Sequence, residues 1–377
     1  MVIIEEVKGK SALKKFMNFP NELYRDCEYY IPPLFAEEVE DWTEKNPAYS
    51  YCETKCFLAY KDGRIVGRIG AILSNKANEK WGYKRMRFSE VDFIDDYEVS
   101  KALFDAVEDY ARKTECIELH GPLGFCDLDR EGMLIKGFEE RGQFFTYYNH
   151  PYYIDHLTKL GFVKDVDWVE YKITLPESCE RIERLAAAVM KRYKLHLVDM
   201  KTRLDVFKYK DDLFKLLNDA YAHLYGVVPL NPAQIKKYTN KFIPLLDPRF
   251  TCIVLNENEE LVAFGITEPS IALAIKKSNG RLLPFGLFRI LKATHKNDLL
   301  DMFLVAVRPD MQGDGVNAIL INYVMQSALK MNIKFAETGP MMESNEQVQA
   351  QWKFFEHVNH KTRRCFIKRV DQKIADK

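Results

Sequence analysis

One stretch of this chain has the residue types and spacing to hold a phosphate-bearing anion. It reads Arg308-Pro309-Asp310-Met311-Gln312-Gly313-Asp314-Gly315-Val316-Asn317-Ala318. The first turn of a helix leaves backbone N–H groups without partners and turns the positive end of its dipole outward. Glycines just before that turn let an anion approach the amides closely. The plain alternative is a tight strand-to-helix turn in which Gly313 and Gly315 only relieve backbone strain. Three features favour the anion: Pro309 stops the preceding strand, Gln312 opens the turn, and no acidic residue stands at the helix start to compete for its amides. A diphosphate is the natural guest.

Such a turn needs a strand before it and a helix after it. Residues 300–307 form an apolar strand, and Val316, Ile319, Leu320, Tyr323 and Ser327 mark one face of a helix over 316–331. Strands at 250–255 and 261–267 flank the polar turn Asn256-Glu257-Asn258-Glu259, and a strand at 334–338 ends at Gly339-Pro340. The same order occurs earlier. Strands at 56–60 and 65–73 flank Lys61-Asp62-Gly63, a hairpin signal. A strand at 86–93 follows, then a helix at 98–113 striped by Val99, Leu103, Ala106 and Tyr110, then a strand at 116–120 ending at Gly121-Pro122. Each half therefore runs hairpin, strand, turn, helix, strand, Gly-Pro. Each half also opens with helical material, at 9–25 in the first and at 179–193 and 213–225 in the second. Pro176 breaks a strand at 168–174, and Ser178 is placed to cap the next helix. The expected fold class is α/β (α+β mixed sheet), with two similar domains at 1–176 and 177–377.

The first half provides an internal comparison. Its equivalent turn is Ile94-Asp95-Asp96-Tyr97-Glu98-Val99, with no glycine and three carboxylates at the helix start. Those acids satisfy the helix dipole themselves and repel a diphosphate. The first domain therefore reads as degenerate at the phosphate turn, with a structural or acceptor-pocket role.

Composition sets the outer bounds. A length of 377 residues exceeds one ordinary core, and 47% hydrophobic with 29% charged residues describes a folded, dissolved chain. Fifty-five basic residues balance fifty-five acidic ones, so no global field draws the chain to nucleic acid or an anionic membrane. The basic run Lys361, Arg363, Arg364, Lys368 and Arg369 reads as a solvated face. The stretch 281–292, RLLPFGLFRILK, mixes apolar and basic residues in a way compatible with peripheral membrane contact or a lipid acceptor. Pro284 and Gly286 interrupt a helix there, so an internal loop is the preferred reading. Eight cysteines without a CxxC pair, and no secretory signal, point to reduced thiols in the cytoplasm. No apolar run approaches the roughly 20 residues of a bilayer span. Cys52 and Cys56 lack a second ligand pair, so no metal is expected.

At the turn the second half resembles the GNAT superfamily of acyl-CoA-dependent N-acyltransferases, whose signature is Gln/Arg-x-x-Gly-x-Gly/Ala. Gln312, Gly315 and Asn317 stand at its defined positions, and Asn317 departs from Gly/Ala. The resemblance implies acetyl-CoA or a longer acyl-CoA as co-substrate. It places the backbone of Val305 and Val307 along the pantetheine arm, and the amides of Gly313, Asp314, Gly315, Val316 and Asn317 on the pyrophosphate. In the segment ESNEQV at 343–348, Asn345 matches a residue near the cofactor thiol. Many relatives carry a tyrosine seven residues later as general acid to the departing thiolate; here Trp352 stands there. Over nearly its full length the chain resembles a poorly characterised bacterial family of tandem GNAT-like proteins. The matching segments are IPPL at 31–34, GRIVGR at 63–68, GPLGF at 121–125, Gly137-Phe138, NHPYY at 149–153, VPL at 228–230, DPR at 247–249 and HKTRR at 360–364. Some members are credited with N-acylating the long-chain bases of bacterial sphingolipids, which implies a small-molecule or lipid amine acceptor.

N-acyl transfer needs a base for the amine and a donor for the oxyanion. Backbone N–H groups at 303–307 suit the second task. Glu268 ranks first as base because it follows the strand 261–267 toward the expected cleft; otherwise it is a surface carboxylate at a strand end. Glu337 comes next, on the strand beside the cofactor strand, with a sheet-edge polar residue as its alternative. Tyr221, His223 and Tyr225 lie on a helix expected to wall the acceptor site. The cluster Asn149-His150-Pro151-Tyr152-Tyr153 suits either a first-domain pocket or the packing of a turn before a helix. The expected activity is direct acyl transfer from acyl-CoA to an amine. The alternatives are a non-catalytic binding protein and a tRNA-dependent aminoacyl transferase, the latter disfavoured by the neutral charge.

Overall fold

Apolar alternation on either side of Asp62-Gly63 zips residues 52–74 into a long hairpin, with both turn residues in the left-handed region. The computed structural model describes residues 1–243 and 246–370. They divide into two units: Met1–Val169 with Ala272–Arg289 and the residues from Lys361 onward, and Glu170–Ile271 with Ile290–His360. The chain crosses between the units four times: inside the strands Val163–Thr174 and Glu356–Arg369, between Ile271 and Ala272, and between Arg289 and Ile290 within the helix Gly286–His295.

Unit 1 begins with β1 (Ile3–Glu6), α1 (Gly9–Leu23) and α2 (Phe35–Asp41). The hairpin β2 (Cys52–Lys61) and β3 (Arg64–Ser74) leads through α3 (Asn75–Trp81) to β4 (Arg85–Phe93), α4 (Tyr97–Lys113), β5 (Glu118–Gly121), β6 (Met133–Lys136) and α5 (Tyr152–Lys159). The strand β7 (Val163–Thr174) then enters unit 2. β4 and β5 run parallel while β1 to β4 are antiparallel. α4 lays Val99, Leu103, Phe104, Val107 and Ala111 on Met86, Phe88 and Phe93 of β4 to form the main core.

Unit 2 continues with α6 (Glu180–Tyr193), β8 (His196–Leu197), α7 (Arg203–Lys208), α8 (Lys210–Tyr221) and α9 (Pro232–Phe242). The hairpin β9 (Thr251–Leu255) and β10 (Leu261–Pro269) is followed by α10 (Ala272–Lys276), α11 (Gly286–His295), β11 (Leu299–Val307) and α12 (Asn317–Lys330). The rest is β12 (Phe335–Thr338), β13 (Met341–Met342), α13 (Glu346–Ala350) and β14 (Glu356–Arg369). The strand order within this unit is β7-β12-β11-β10-β9-β8, with β11 and β12 parallel. α12 packs Ile319 and Leu320 against Ala186 and Val189 of α6 and Val262 and Ala263 of β10. The two units thus repeat hairpin, strand, helix and parallel strand, as the sequence pattern predicts.

Four local expectations are corrected. Ser178 caps nothing, because α6 starts after Cys179, which makes no side-chain cap bond. The helix expected to run through Tyr225 ends at Tyr221, so His223 and Tyr225 lie beyond it. The basic run at 361–369 is no solvated face. Lys361 and Arg363 are fully buried, Lys361 donates to the carbonyl of Arg141 and Arg363 to that of Tyr147. Arg364 forks onto Asp167, and Lys368 reaches Glu108. These partners lie far away in sequence, so the run looked unpaired. Lastly, the stretch 281–292 is not an internal loop: Leu282, Leu283, Phe285, Leu287, Phe288 and Leu291 are all exposed.

Candidate functional site

The phosphate-turn residues follow β11 through one short helical turn, Pro309–Met311. Gly313 and Gly315 sit at φ +87° and +83°, a conformation that glycine adopts at little cost. A Cβ on Gly315 would press on Val189 of α6, whereas one on Gly313 would meet nothing within 4 Å. α12 starts with no acidic residue in its first turn and no side-chain cap. The Ala318 and Ile319 amides close onto the Gly315 and Val316 carbonyls at 3.0 and 2.9 Å, which leaves the amides just before them, at Gly315, Val316 and Asn317, for solvent or a ligand. Two carboxylates of the turn are exposed: Asp310 pairs with Arg308 at 2.7 Å, and Asp314 lies between the two glycines. The partner of Asp314 is Tyr193, whose hydroxyl is pushed up by burial and by that hydrogen bond. The turn's donor set fits a diphosphate.

The corresponding turn of unit 1 is filled by its own acids. Asp96 caps α4 by accepting from the Glu98 amide at 2.9 Å and pairs with Lys61 at 2.6 Å. Its carboxyl is held low by Lys61 against the opposing effect of burial.

β11 carries the second part of the site. Its register with β10 pairs Thr267 with Met302 and Ile266 with Leu304, so Phe303 is an extra residue bulged between them. Its pairing with β12 spans Leu299 to Met302 and closes with the Gly339 amide on the Met302 carbonyl at 2.9 Å. Beyond that point two carbonyls of β11 are met by side chains. The Tyr221 hydroxyl donates to Val305 at 2.9 Å, and the Gln312 amide to Val307 at 3.1 Å. Tyr221 and Val305, one expected in catalysis and the other along the pantetheine arm, therefore meet.

At the other end of β11 the register sets Glu268, Asp301, Glu337 and Lys172 in one row across β10, β11, β12 and β7. Residues directly opposite on neighbouring strands share a sheet face, with Cβ atoms about 5 Å apart. The three acids are 7%, 1% and 5% exposed. Glu268 is therefore no surface carboxylate. Its Oε1 accepts the Asp247 amide at 2.5 Å while its buried Oε2 has no partner among the described residues. Burial pushes its carboxyl well above the usual carboxylate range, and the Asp247 charge adds to that. Asp247 itself stays low, because its bonds to Arg249 outweigh burial. Asp301 was not singled out from the sequence. Its signal was present as the one charge in the apolar run LLDMFLVAV. From Asp301 to Val307 is six residues along a strand, about 20 Å, a distance for a long flexible arm.

The remaining candidates lie elsewhere in unit 2. Asn345 caps α13 by accepting from the Val348 amide at 3.3 Å. Trp352 is buried in a core with Val324, Met325 and Phe355, and its indole N–H has no partner among the described residues. In unit 1 the tyrosine cluster is packed as structure. Tyr153 stacks on Phe93 at 4.1 Å and bonds the Tyr24 hydroxyl at 2.8 Å, while Asn149 pairs with both backbone groups of Leu134. His120, Asp165 and Cys365 bring three ligand atoms within 4.8 Å of one another. Arg85 already sits on Asp165 at 3.4 Å, and burial with Arg87 and Arg85 holds His120 well below its ordinary value. Cationic neighbours of that kind oppose a metal ion.

No protein-family model matches the chain. It is 26% identical over 352 residues to Protein YghO of Escherichia coli strain K12, covering 91% of this chain and 89% of that one. It is 28% identical over 298 residues to a protein named bacterial ceramide synthase from Caulobacter vibrioides, covering 76% and 74%. Among solved structures it aligns with a tandem GNAT protein from the clavulanic acid biosynthesis pathway at a TM-score of 0.56 and 11% identity, over 98% and 99% of the two chains.

Proposed function

On a chain that has the tandem GNAT fold, we propose an acyl-CoA-dependent N-acyltransferase that moves an acyl group directly to an amine, with unit 2 holding the acyl-CoA. The carrying observation is the pairing of an uncapped, glycine-bearing helix start at Gly313 and Gly315 with a strand whose outer carbonyls at Val305 and Val307 are met by side chains alone. Unit 1, whose equivalent turn is closed by Asp96, takes the structural or acceptor-side role.

The chemistry assigned to these residues is simple. The amides of residues 313–317 receive the diphosphate, and the edge of β11 aligns the arm that leads to the thioester. A carboxylate of the row, Glu268 first and Glu337 second, takes the proton from the attacking amine. The new C–N bond forms as the C–S bond breaks, and the thiolate leaves with a proton from solvent or from the Tyr221 hydroxyl. A β11 amide near the Phe303 bulge steadies the oxyanion. Trp352 has no acidic proton to give, so it is not the acid.

The relative named a ceramide synthase supports a long-chain amino alcohol as acceptor, since a ceramide is the N-acyl amide of one. The test is thiol release from an acyl-CoA on addition of a long-chain amino alcohol. Release that depends on the amine and falls by about two to four orders of magnitude in Glu268→Gln or Glu337→Gln supports the proposal. Acyl-CoA binding without amine-dependent release would favour a non-catalytic binding protein, the reading that Trp352 motivates.

A further inference from the structure

The chain has no net charge, yet from Ser270 to Asn297 it carries Lys276, Lys277, Arg281, Arg289, Lys292 and Lys296 with no acidic residue. The same stretch exposes its largest apolar side chains. Leu283, Phe285 and Phe288 are 79%, 65% and 71% exposed, and Leu287 and Leu291 stand out beside them. In α11 the inward positions are Ile290 and Thr294, which leaves Leu287, Phe288, Leu291 and Lys292 on the outward face.

This apolar tip is held in shape. The Leu287 amide donates to the Leu282 carbonyl at 2.8 Å, and the Arg289 guanidinium to the Lys277 carbonyl at 2.7 Å. Lys276 anchors the segment within unit 1 through the carbonyls of Cys27, Glu28 and Tyr30. A Cβ on Gly286 would lie 2.0 Å from the Arg281 carbonyl oxygen, so the tight turn requires glycine there. Exposing so much ordered apolar surface costs free energy in water unless something covers it.

We propose that this tip docks the protein on an anionic lipid surface, with Leu283, Phe285, Leu287 and Phe288 entering the headgroup layer and the exposed Lys277, Arg281 and Arg289 supplying the cations beside them. Apolar residues beside cations without intervening acids are what an interfacial anchor requires. A second copy of the chain is a poorer occupant. A two-fold contact would set the patch against itself, and its cations against each other. Among the described residues no helix is long and apolar enough to cross a membrane, which is consistent with a peripheral attachment. The inference stands apart from the acyl-transfer proposal.

The test is flotation of the whole chain with vesicles of phosphatidylcholine alone and of equal parts phosphatidylcholine and phosphatidylglycerol, with melting temperature and acyl-CoA affinity measured in parallel. The wild type is expected to float with the mixed vesicles and to be released by salt. The triple variant Leu283→Ser, Phe285→Ser, Phe288→Ser is expected to bind at least about tenfold more weakly, and Lys277→Gln with Arg281→Gln roughly fivefold more weakly for each cation removed. Failure of the wild type to float, or equal flotation of the triple variant, overturns the proposal. So does conversion of a dimer to a monomer by the triple variant without vesicle binding, which assigns the patch to a second copy. Acyl-CoA affinity is expected to be the same in all these proteins, which separates this result from the fate of the transfer proposal.

Discussion

The hydroxyl of Tyr221, the last residue of α8, donates to the carbonyl of Val305 at 2.9 Å. The bond joins a helix end to the strand segment just beyond the Phe303 bulge, where pairing with β12 has stopped. A side chain in that place can swing away at little cost, whereas a paired strand could not, because one neutral hydrogen bond contributes only about 1 kcal/mol net. The edge of β11 is in this way kept satisfied and still open to another partner.

Tyr221→Phe is therefore expected to cost no more than about 1 kcal/mol of stability and to leave acyl-CoA affinity nearly unchanged. If the hydroxyl protonates the departing thiolate, kcat falls by about two orders of magnitude with little change in KM. Steady-state kinetics separates the outcomes, and an unaltered kcat removes Tyr221 from the chemistry.

Glu268 makes stability depend on pH in a definite direction. Its folded carboxyl is raised above the ordinary value of about 4.3, so above that pH the unfolded chain releases a proton that the native state retains. Stability contributed by the protonated form is full at lower pH and is lost as pH rises toward the folded value. Glu268→Gln removes this loss. Urea unfolding is expected to show a flatter pH dependence in the variant, and at about pH 8 a variant at least as stable as the wild type. As base, Glu268 works only when ionised, so wild-type kcat/KM should rise across the range above the usual carboxylate values.

Unit 1 buries acids of its own on β4, and there cations hold them. Buried Arg68 pairs with Asp92 and Glu90, at 2.7 Å each, and Arg130 joins Glu90 at 2.9 Å. Burial raises Asp92 while Arg68 pulls it back. Arg68→Met removes the cation that pairs with Asp92 and one of the two at Glu90, and is expected to cost about 3–5 kcal/mol in chemical denaturation. The double variant Arg68→Met, Asp92→Asn should recover part of the loss, and failure to do so would show that the pair is not the source.

The doubled order of elements was legible because hairpin turns, helical stripes and Gly-Pro strand ends are local signals. Asp62-Gly63 and the stripe through Val99 and Leu103 each needed only a few neighbouring residues. The carboxylate row was not legible, since the alignment of Glu268 with Asp301 and Glu337 depends on register and on one extra residue at Phe303. The basic run at 361–369 failed for the same reason: Asp167, Glu108 and the Tyr147 carbonyl approach only after β14 is placed. The apolar stretch at 281–292 was read as an internal loop because Pro284 and Gly286 interrupt a helix; the chain instead starts α11 at Gly286 and leaves Leu287, Phe288 and Leu291 exposed on it.

The central claim is that the turn at Gly313 receives the diphosphate of acyl-CoA, and calorimetric titration of acetyl-CoA and a long-chain acyl-CoA into the wild type and Gly313→Asp tests it most directly. Aspartate accepts a left-handed backbone better than most residues, and the space around Gly313 is open, so the variant should fold while placing a carboxylate against the anion. Binding by the wild type and at least about tenfold weaker binding by the variant, at similar melting temperature, is the predicted result. No binding by the wild type, or equal binding by both, would contradict the account.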